Sequence, residues 1–255
     1  MALLLVAHGS RDPRHAATVT ALRDHLATAR PGLRVELGYL DFSIPSVPQV
    51  LERLALDSVR DVVALPLLLT RAFHARTDIP AVLREATATL PGLTVRQAGV
   101  LGPSPLLTAA LERRLHEAGV RPGDRATTGV VLAAAGSSDP RATAVITGIA
   151  RGWQRAAGWH AVRPAFASAA VPRTDDAVRA LRAEGAHRVV VAPYVIAPGR
   201  LPDRIAAGAR EADAMGGVLG TAPEMVSLLL ARYDEAAGAE GEAGAAGGLR
   251  RASYG

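Results

Sequence analysis

Cysteine and lysine are both missing from this 255-residue chain. Without cysteine, the chain can form no disulfide, no thiolate-ligated zinc or iron–sulfur cluster and no cysteine nucleophile. Without lysine, all 29 basic residues are arginine, against 24 acidic residues. Aromatic residues make up only 4% of the sequence and the arginines are scattered, whereas nucleic-acid-binding proteins usually cluster basic residues with aromatic ones. We therefore expect no nucleic-acid partner.

Long hydrophobic runs are missing too. The apolar run that opens the chain ends at Ala7, and no basic residue precedes it. It is too short to span a membrane and lacks the basic segment of a signal peptide. We therefore expect a cytoplasmic protein with no membrane partner. The 49% of hydrophobic residues exclude an intrinsically disordered chain, which has too little apolar surface to offset its conformational entropy.

Short apolar runs alternate with helical stretches along the whole chain. The first half has predicted strands at Leu3–Ala7, Val35–Leu40, Val62–Leu69 and Leu93–Val100, and predicted helices at Ala16–Ala29, Val47–Leu56, Ala81–Leu90 and Leu106–Ala118. The second half has predicted strands at Val130–Ala135, Ala161–Ala167, Val189–Ile196 and Gly217–Gly220. Repeated strand–helix units predict an α/β fold in which helices cover both faces of parallel sheets.

The two halves resemble each other in a single alignment register. Three pairs of matching residues are separated by the same number of sequence positions. The pairs are His8 and Ala135, Pro45 and Pro172, and Pro66 and Pro193. Such agreement indicates an internal duplication. We predict an N-terminal lobe at residues 1–123 and a C-terminal, degenerate repeat lobe at residues 124–235. The remaining residues, 236–255, are rich in Gly, Ala and Glu and are predicted to form a flexible tail.

Three polar side chains follow the three predicted strands that begin the first lobe. His8 follows the first strand, Asp41 the second and His74 the third. The carboxyl ends of parallel strands lie at one edge of a sheet, where ligands bind. Two imidazoles and a carboxylate at that edge have the composition of a site for a first-row divalent metal.

The duplication provides an internal control for this site. In the common register, the counterparts of the three candidate ligands are Ala135, Ser168 and Leu201. The second lobe therefore keeps the framework and loses the ligands. We predict a single active site in the first lobe, with the second lobe as a wall of the cleft.

Arginines flank the candidate histidines of the first lobe. Gly9 and Ser10 allow a sharp turn before a helix N-terminus, which offers N–H groups to an anion. Four arginines lie beside the two histidines: Arg11, Arg14, Arg71 and Arg76. In the common register, three of their four counterparts (Ser138, Pro198 and Asp203) carry no positive charge. Because arginine pairs with carboxylates, the pattern predicts a polyanionic ligand centred on the first lobe.

Three motifs of this chain resemble those of a known family. VAHGSRDP at the first strand, YLDFSIPSV at the second and PLLLTRAFHARTDIP at the third look like the sirohydrochlorin chelatases, which are ATP-independent class II tetrapyrrole chelatases. The resemblance extends from Met1 to about Ala236. It implies two flavodoxin-like lobes with the tetrapyrrole bound between them.

The resemblance also implies roles for individual residues. His8 and His74 are the expected metal-binding and proton-accepting pair, and Asp41, in place of a glutamate found in many members, is the expected third metal ligand. The expected substrate-binding residues are Gly9, Ser10, Arg11, Arg71 and Arg76.

The implied activity is that of a lyase that inserts a divalent metal into sirohydrochlorin, with ferrous iron favoured and sirohaem as the product. One alternative is cobalt insertion for cobalamin synthesis, and another is a non-catalytic tetrapyrrole or metal carrier. The metal is a substrate, iron or cobalt. No nucleotide is expected, because the chain has no phosphate-binding P-loop. A monomer suffices, since the duplication encloses a cleft within one chain.

Overall fold

The computed structural model describes residues 1–70 and 77–248, with side chains as far as residue 238. In the first half, the order of elements is β1 Ala2–Ala7, α1 Pro13–Ala29, β2 Arg34–Tyr39, α2 Val47–Leu56, β3 Asp61–Pro66, α3 Asp78–Ala88, β4 Thr94–Gln97 and α4 Pro105–Glu117. A 3₁₀ helix, Pro122–Thr127, leads to the second half.

The second half repeats the same alternation. Its elements are β5 Thr128–Ala134, α5 Pro140–Ala157, β6 Ala161–Phe166, α6 Thr174–Ala183, β7 Arg188–Tyr194, α7 Arg200–Gly208, β8 Ala214–Met215 and α8 Pro223–Gly248. None of the helices in the described part of the chain has the length and apolar character of a membrane span.

The strands form two four-stranded sheets with the orders β2-β1-β3-β4 and β6-β5-β7-β8. All pairings within both sheets are parallel. Alternate residues of β1 belong to two different hydrophobic clusters, Leu3 and Leu5 to one and Leu4 and Val6 to the other. Helices therefore cover both faces of the first sheet, and the predicted two-lobed α/β fold is confirmed.

Matching helix caps begin the first helix of each lobe. Asp12 accepts a hydrogen bond from the Arg14 amide at 2.9 Å, and Asp139 accepts one from the Arg141 amide at 2.8 Å. A proline occupies the start of both α1 and α5, where its missing N–H costs nothing. These local signals fix where each helix leaves the strand that precedes it.

The common register of the two halves holds only through the third strand of each lobe. In that register β6 and α6 match β2 and α2 from their first residue to their last. Beyond β7 the register is lost. It pairs Asp78, the first residue of α3, with Ile205, whereas α7 already begins at Arg200. Residues 195–199 separate β7 from α7, whereas the longer stretch 67–77, of which 71–76 lie outside the described residues, separates β3 from α3.

The common register therefore does not hold at the start of α3 and α7. Arg71, His74 and Arg76 lie outside the described residues, so their pairing with Pro198, Leu201 and Asp203 stays a prediction. The predicted strand Gly217–Gly220 is wrong, since β8 is Ala214–Met215. The glycine-rich segment that follows still donates backbone hydrogen bonds to Val195 and Ile196, but its residues do not form a strand.

Two helices cross between the lobes. α4, from the first half, packs on β7 of the second sheet, and α8, from the second half, packs on α1, α4 and β3. One hydrophobic cluster accordingly includes Leu3, Val190 and Leu229. The boundary predicted between residues 123 and 124 separates the two sheets, but the helical layer does not follow it.

The last helix enters the segment predicted as a flexible tail. Residues 236–248 continue α8 instead of forming irregular chain. Six of these thirteen residues are alanine, the best helix former, and five are glycine, which disfavours a helix, so the segment extends a helix that packing has already nucleated. Flexibility at the chain end stays a prediction, since residues 249–255 lie outside the described residues.

A polar cluster centred on Glu112 stabilises the crossing of α4. Its carboxylate accepts hydrogen bonds from the indole N–H groups of Trp153, at 2.6 Å, and Trp159, at 3.0 Å. Arg125 donates to the other carboxylate oxygen at 2.8 Å. Since the Glu112 side chain is only 23% exposed, its loss leaves three donors unsatisfied in a partly buried place.

Replacing Glu112 by alanine should lower the free energy of unfolding by about 2–3 kcal/mol, the cost of unsatisfied charge-assisted hydrogen bonds. The matched control is Glu117→Ala on the same helix, where an exposed ion pair with Arg114 is lost at a cost below about 1 kcal/mol. Urea unfolding followed by tryptophan fluorescence measures both. Equal losses in the two variants would contradict a structural role for the Glu112 cluster.

Candidate functional site

A cavity of about 640 Å³ lies between the two lobes. The segments that follow four strands line it: His8–Ser10 after β1, 67–70 after β3, 135–138 after β5 and 195–202 after β7. We call this cavity the inner chamber. The carboxyl ends of strands from both sheets thus form its walls, which is where open α/β sheets bind ligands.

Apolar side chains make up much of the wall of the inner chamber. They come from both lobes and include Leu67, Leu69, Ile146, Phe166 and Ile196. Polar groups lie at few places, among them two imidazoles, described below. A largely apolar cavity with a few polar groups is typical of a small-molecule site.

His8 and Asp41 lie side by side at the edge of the first sheet. β1 and β2 are neighbouring parallel strands, and beyond their ends the Asp41 amide donates a hydrogen bond to the His8 carbonyl at 2.9 Å. Both side chains are exposed. The Asp41 carboxylate accepts a hydrogen bond from the Phe42 amide at 2.8 Å. The structure therefore brings these two predicted residues together, while their roles stay predictions.

The segment that follows β1 contacts the segment that follows β2, and this contact depends on Gly9. Gly9 has φ +94°, and a Cβ there would lie 1.8 Å from the Asp41 carbonyl oxygen. Gly136 has the same relation to Ser168 in the second lobe, with φ +89° and a distance of 2.0 Å. Only glycine permits this approach at either place.

The backbone of Ser10 links the same two segments, those that follow β1 and β2. Its amide donates to the Ser43 hydroxyl at 3.4 Å, and that hydroxyl donates back to the Ser10 carbonyl at 3.2 Å. The Ser10 hydroxyl accepts a hydrogen bond from the Asp12 amide. Gly9 and Ser10, both predicted to bind substrate, line the inner chamber and also hold its framework in place.

An exposed aromatic ring joins His8 to Arg11. Phe42 is 51% exposed, and its ring meets the imidazole of His8 edge-on at a centroid distance of 6.1 Å. The Arg11 guanidinium lies over the same ring, 5.3 Å from its centroid. The first lobe thus presents an imidazole, an aromatic ring and a cation in one row beside the chamber.

Three predicted site residues, Arg71, His74 and Arg76, lie outside the described residues. Among the residues that the structure does describe, no group of three His, Asp or Glu side chains is placed to hold a metal ion. The predicted metal site of His8, Asp41 and His74 therefore stays a prediction.

A second imidazole in the chamber escaped the sequence analysis. His15 lies in the first turn of α1 and lines the inner chamber. Its Nδ1 is buried without a hydrogen-bond partner. Burial, and then the charge of His8, lower the pKa of His15 below its usual value of 6.5. The Asp-Pro helix start at residue 12 was the signal that could have placed it near the strand ends.

Arg14 connects the two lobes instead of standing free at the rim. Its guanidinium contacts the carboxylates of Asp12 at 2.6 Å and Asp203 at 2.7 Å. Asp12 belongs to the first lobe and Asp203 to α7 of the second. The hydrogen bonds with Arg14 hold the pKa of the Asp12 carboxyl below its usual value.

Fold and site together define a two-lobed α/β protein whose ligand site lies between the lobes at the carboxyl ends of their strands. The sequence matches the CbiX family over residues 2–118 and 129–236. The chain belongs to this family.

Relatives cover nearly the whole chain. A sirohydrochlorin cobaltochelatase of Priestia megaterium is 28% identical over 253 residues, which is 94% of this chain and 80% of that protein. A sirohydrochlorin ferrochelatase of Bacillus subtilis (strain 168) is 26% identical, over 94% of both chains. The solved structure of SirB from Bacillus subtilis with Fe³⁺ matches the fold with a TM-score of 0.80, at 24% identity, over 94% of this chain and 97% of that one.

Replacing Gly9 by alanine should destabilise the chain more than replacing Gly32, a matched control with φ +89° and no atom within 4 Å of the added Cβ. The control isolates the positive-φ cost of about 1–2 kcal/mol. Gly9→Ala adds a collision with the Asp41 carbonyl, so its midpoint in urea should fall further. Equal urea midpoints for the two variants would mean that the contact between the segments after β1 and β2 is not needed for stability.

His15 should make the chain less stable in acid. Its pKa is lowered on folding, so the unfolded state binds the proton more tightly, and stability falls as the pH drops below about 6.5, the unfolded value. The free energy of unfolding of His15→Gln should therefore decrease less between pH 7.5 and pH 5.5. His25→Gln, at an exposed residue of the same helix, is the control for the loss of an imidazole, and a His15→Gln slope equal to that of His25→Gln would refute the assignment.

Proposed function

We propose that this chain is a sirohydrochlorin chelatase, a lyase that inserts a divalent metal ion into sirohydrochlorin. The observation that carries the proposal is the inner chamber with His8 at its wall, in a member of the CbiX family whose relatives over 94% of the chain are named for this activity.

The cleft has an apolar inner part and a charged outer edge, and this arrangement suits such a substrate. Sirohydrochlorin is a conjugated macrocycle with carboxylate side chains around its edge. The apolar walls of the inner chamber fit the ring, since burial of apolar surface favours binding. Arg11 and the exposed ring of Phe42 lie outside, next to His8, where a carboxylate edge would emerge.

Metal insertion exchanges two pyrrole protons for one divalent ion. A neutral imidazole can hold the metal through a nitrogen lone pair or accept a proton. We assign metal holding to His8, Asp41 and His74, and proton acceptance to His8 and His74. His15, whose lowered pKa keeps it neutral near pH 7, adds another acceptor in the same chamber.

Nitrogen and oxygen ligands suit a metal that must leave again. A thiolate would hold a late first-row ion too firmly, and the chain has no cysteine. We propose that the reaction uses no nucleotide, because the connection after β1, HGSRDPR, has no phosphate-binding pattern.

Ferrous iron is the favoured metal and cobalt the second candidate. Relatives over the same 94% of the chain are named for each, a ferrochelatase and a cobaltochelatase. Anaerobic assays with ferrous, cobaltous and nickelous ions, followed by the change in the absorption spectrum of the macrocycle, would rank them. One turnover without product release would favour a carrier over an enzyme.

We also propose a cytoplasmic monomer that binds neither nucleic acid nor membrane. The apolar run at the N-terminus forms β1, which is buried between β2 and β3, so it serves the core. The two lobes of one chain already enclose the chamber, so a second copy is not needed to complete it.

Replacing His8 by alanine should reduce the rate of metal insertion about 10²–10⁴-fold, the usual loss for one positioned acid or base. The fold should survive, because His8 is exposed. The control is Ser168→Ala, at the counterpart of Asp41 in the second lobe, which loses one hydrogen bond to the Ala135 carbonyl and should keep its rate. If His8→Ala inserts metal at the wild-type rate, residues other than His8 carry out the reaction.

A further inference from the structure

A second cavity, of about 740 Å³, adjoins the inner chamber. Gly9, Ser10 and Arg200 line both cavities, so the two are adjacent. We call the outer cavity the mouth. Arg11 and Phe42 line it from the first lobe, and α7 lines it from the second lobe.

The second lobe brings two arginines to this mouth. Arg200 and Arg204 are four residues apart on α7, both are exposed, and both line the mouth. Residues at this spacing lie on one face of a helix, where like charges repel each other. Within the described part of the chain, no carboxylate forms an ion pair with either of them.

The acidic residue nearest to both arginines in sequence already forms an ion pair with another arginine. Asp203 lies between the two arginines, and its carboxylate contacts Arg14 of the first lobe at 2.7 Å. Arg14 also contacts Asp12, so that three charges form one bridge across the cleft. This bridge leaves the positive charge of Arg200 and Arg204 uncompensated, and it holds α7 against the first lobe.

Arg11 faces the same opening from the other side. It lies over the Phe42 ring, and no ion pair with a carboxylate of the described residues involves it. The two walls are neighbours, since a Cβ added at Gly199 would lie in ordinary van der Waals contact, 3.9 Å, with the Ser10 hydroxyl oxygen. Three guanidinium groups with spare donors therefore line one opening.

We propose that Arg200 and Arg204, together with Arg11, form a carboxylate-binding subsite at the mouth of the cleft. The subsite binds the peripheral carboxylates of a tetrapyrrole whose ring occupies the inner chamber. Guanidinium groups form paired hydrogen bonds with carboxylates and stay charged at every working pH. The identity of the macrocycle rests on the proposed function, whereas the preference for many carboxylates rests on the arginines alone.

This subsite extends the expectation of a polyanionic ligand centred on the first lobe. The common register paired three of the four first-lobe arginines with uncharged or acidic residues, and Arg14 with Arg141. Because the β7–α7 connection is short, helix α7 itself reaches the cleft and supplies the charge from its first two turns. The second lobe would thus add to Arg11 the charge that selects the substrate, while the proposed metal ligands all belong to the first lobe.

The test is a binding titration with two metal-free porphyrins, uroporphyrin with eight carboxylates and deuteroporphyrin with two, followed by porphyrin fluorescence. The variants are Arg200→Gln, Arg204→Gln, the double variant and Arg204→Glu. We expect each glutamine variant to raise the Kd for uroporphyrin about three- to fivefold and the double variant about tenfold or more, as fits partly exposed ion pairs. The Kd for deuteroporphyrin should change less, and 0.5 M salt should reduce the difference.

Arg210→Gln is the matched control, because it removes the same charge from an exposed residue just after α7 that lines neither cavity. It should bind both porphyrins like the wild type, and all variants should unfold at the wild-type urea concentration. Equal uroporphyrin affinity in the double variant and the wild type would overturn the subsite, as would failure of the wild type to bind uroporphyrin.

Insertion kinetics separate this inference from the proposed function. In the double variant, KM for sirohydrochlorin should rise by a larger factor than kcat falls, because the proposal gives the arginines a role in binding carboxylates and none in holding the metal or accepting protons. If the wild type inserts no metal but binds uroporphyrin through these arginines, the subsite stands and the chelatase proposal fails. If insertion is normal and the arginines do not affect either Kd or KM, the chelatase proposal stands and the subsite fails.

Discussion

The exchange of helices between the lobes is the constraint on which the cleft depends. α4 packs on the second sheet, while α8 returns from the end of the second half to pack on the first. A single hydrophobic cluster therefore runs through both lobes and includes Leu111, Val190 and Leu229. Separating the lobes would expose this shared apolar surface, at about 25 cal/mol per Å². The strand ends that form the inner chamber are consequently held at a fixed separation by a core that lies behind them.

The duplication has preserved backbone geometry more strictly than the identity of the side chains. Gly9 and Gly136 both allow a close approach to a carbonyl of the neighbouring connection, and Phe42 and Ala169 share φ +57°. The side chains differ, since His8 corresponds to Ala135 and Asp41 to Ser168. A backbone that must keep two connections in contact tolerates no other residue than glycine at that point, whereas the exposed side chains beside it are free to change.

Sequence patterns could predict the sheets because buried parallel strands leave a strong signal. β1 is a continuous apolar run, β5 is one from Val130 onwards, and the Asp-Pro caps mark the helices that follow them. The path of α8 could not be predicted, because its apolar face is equally compatible with either sheet. His15 and Arg204 were missed for a related reason: each lies on a helix whose own charge pattern is ordinary, and only the packing of that helix turns it towards the cleft.

The shortened β7–α7 connection explains how one duplicated unit could come to serve two purposes. More residues separate β3 from α3 than separate β7 from α7, and His74 is one of them in the sequence. Only Val195–Gly199 lie between β7 and α7, and the start of α7 approaches Ser10 of the first lobe. Asp203 is then positioned to hold Arg14, and Arg200 and Arg204 are directed to the mouth. Under the proposed function, a metal must be bound loosely and a polyanion firmly, and these demands conflict within one cluster of side chains because neighbouring cations weaken cation binding. Placing Arg200 and Arg204 on the second lobe eases that conflict, because it adds cationic groups for the polyanion without adding them to the connections that carry His8 and Asp41.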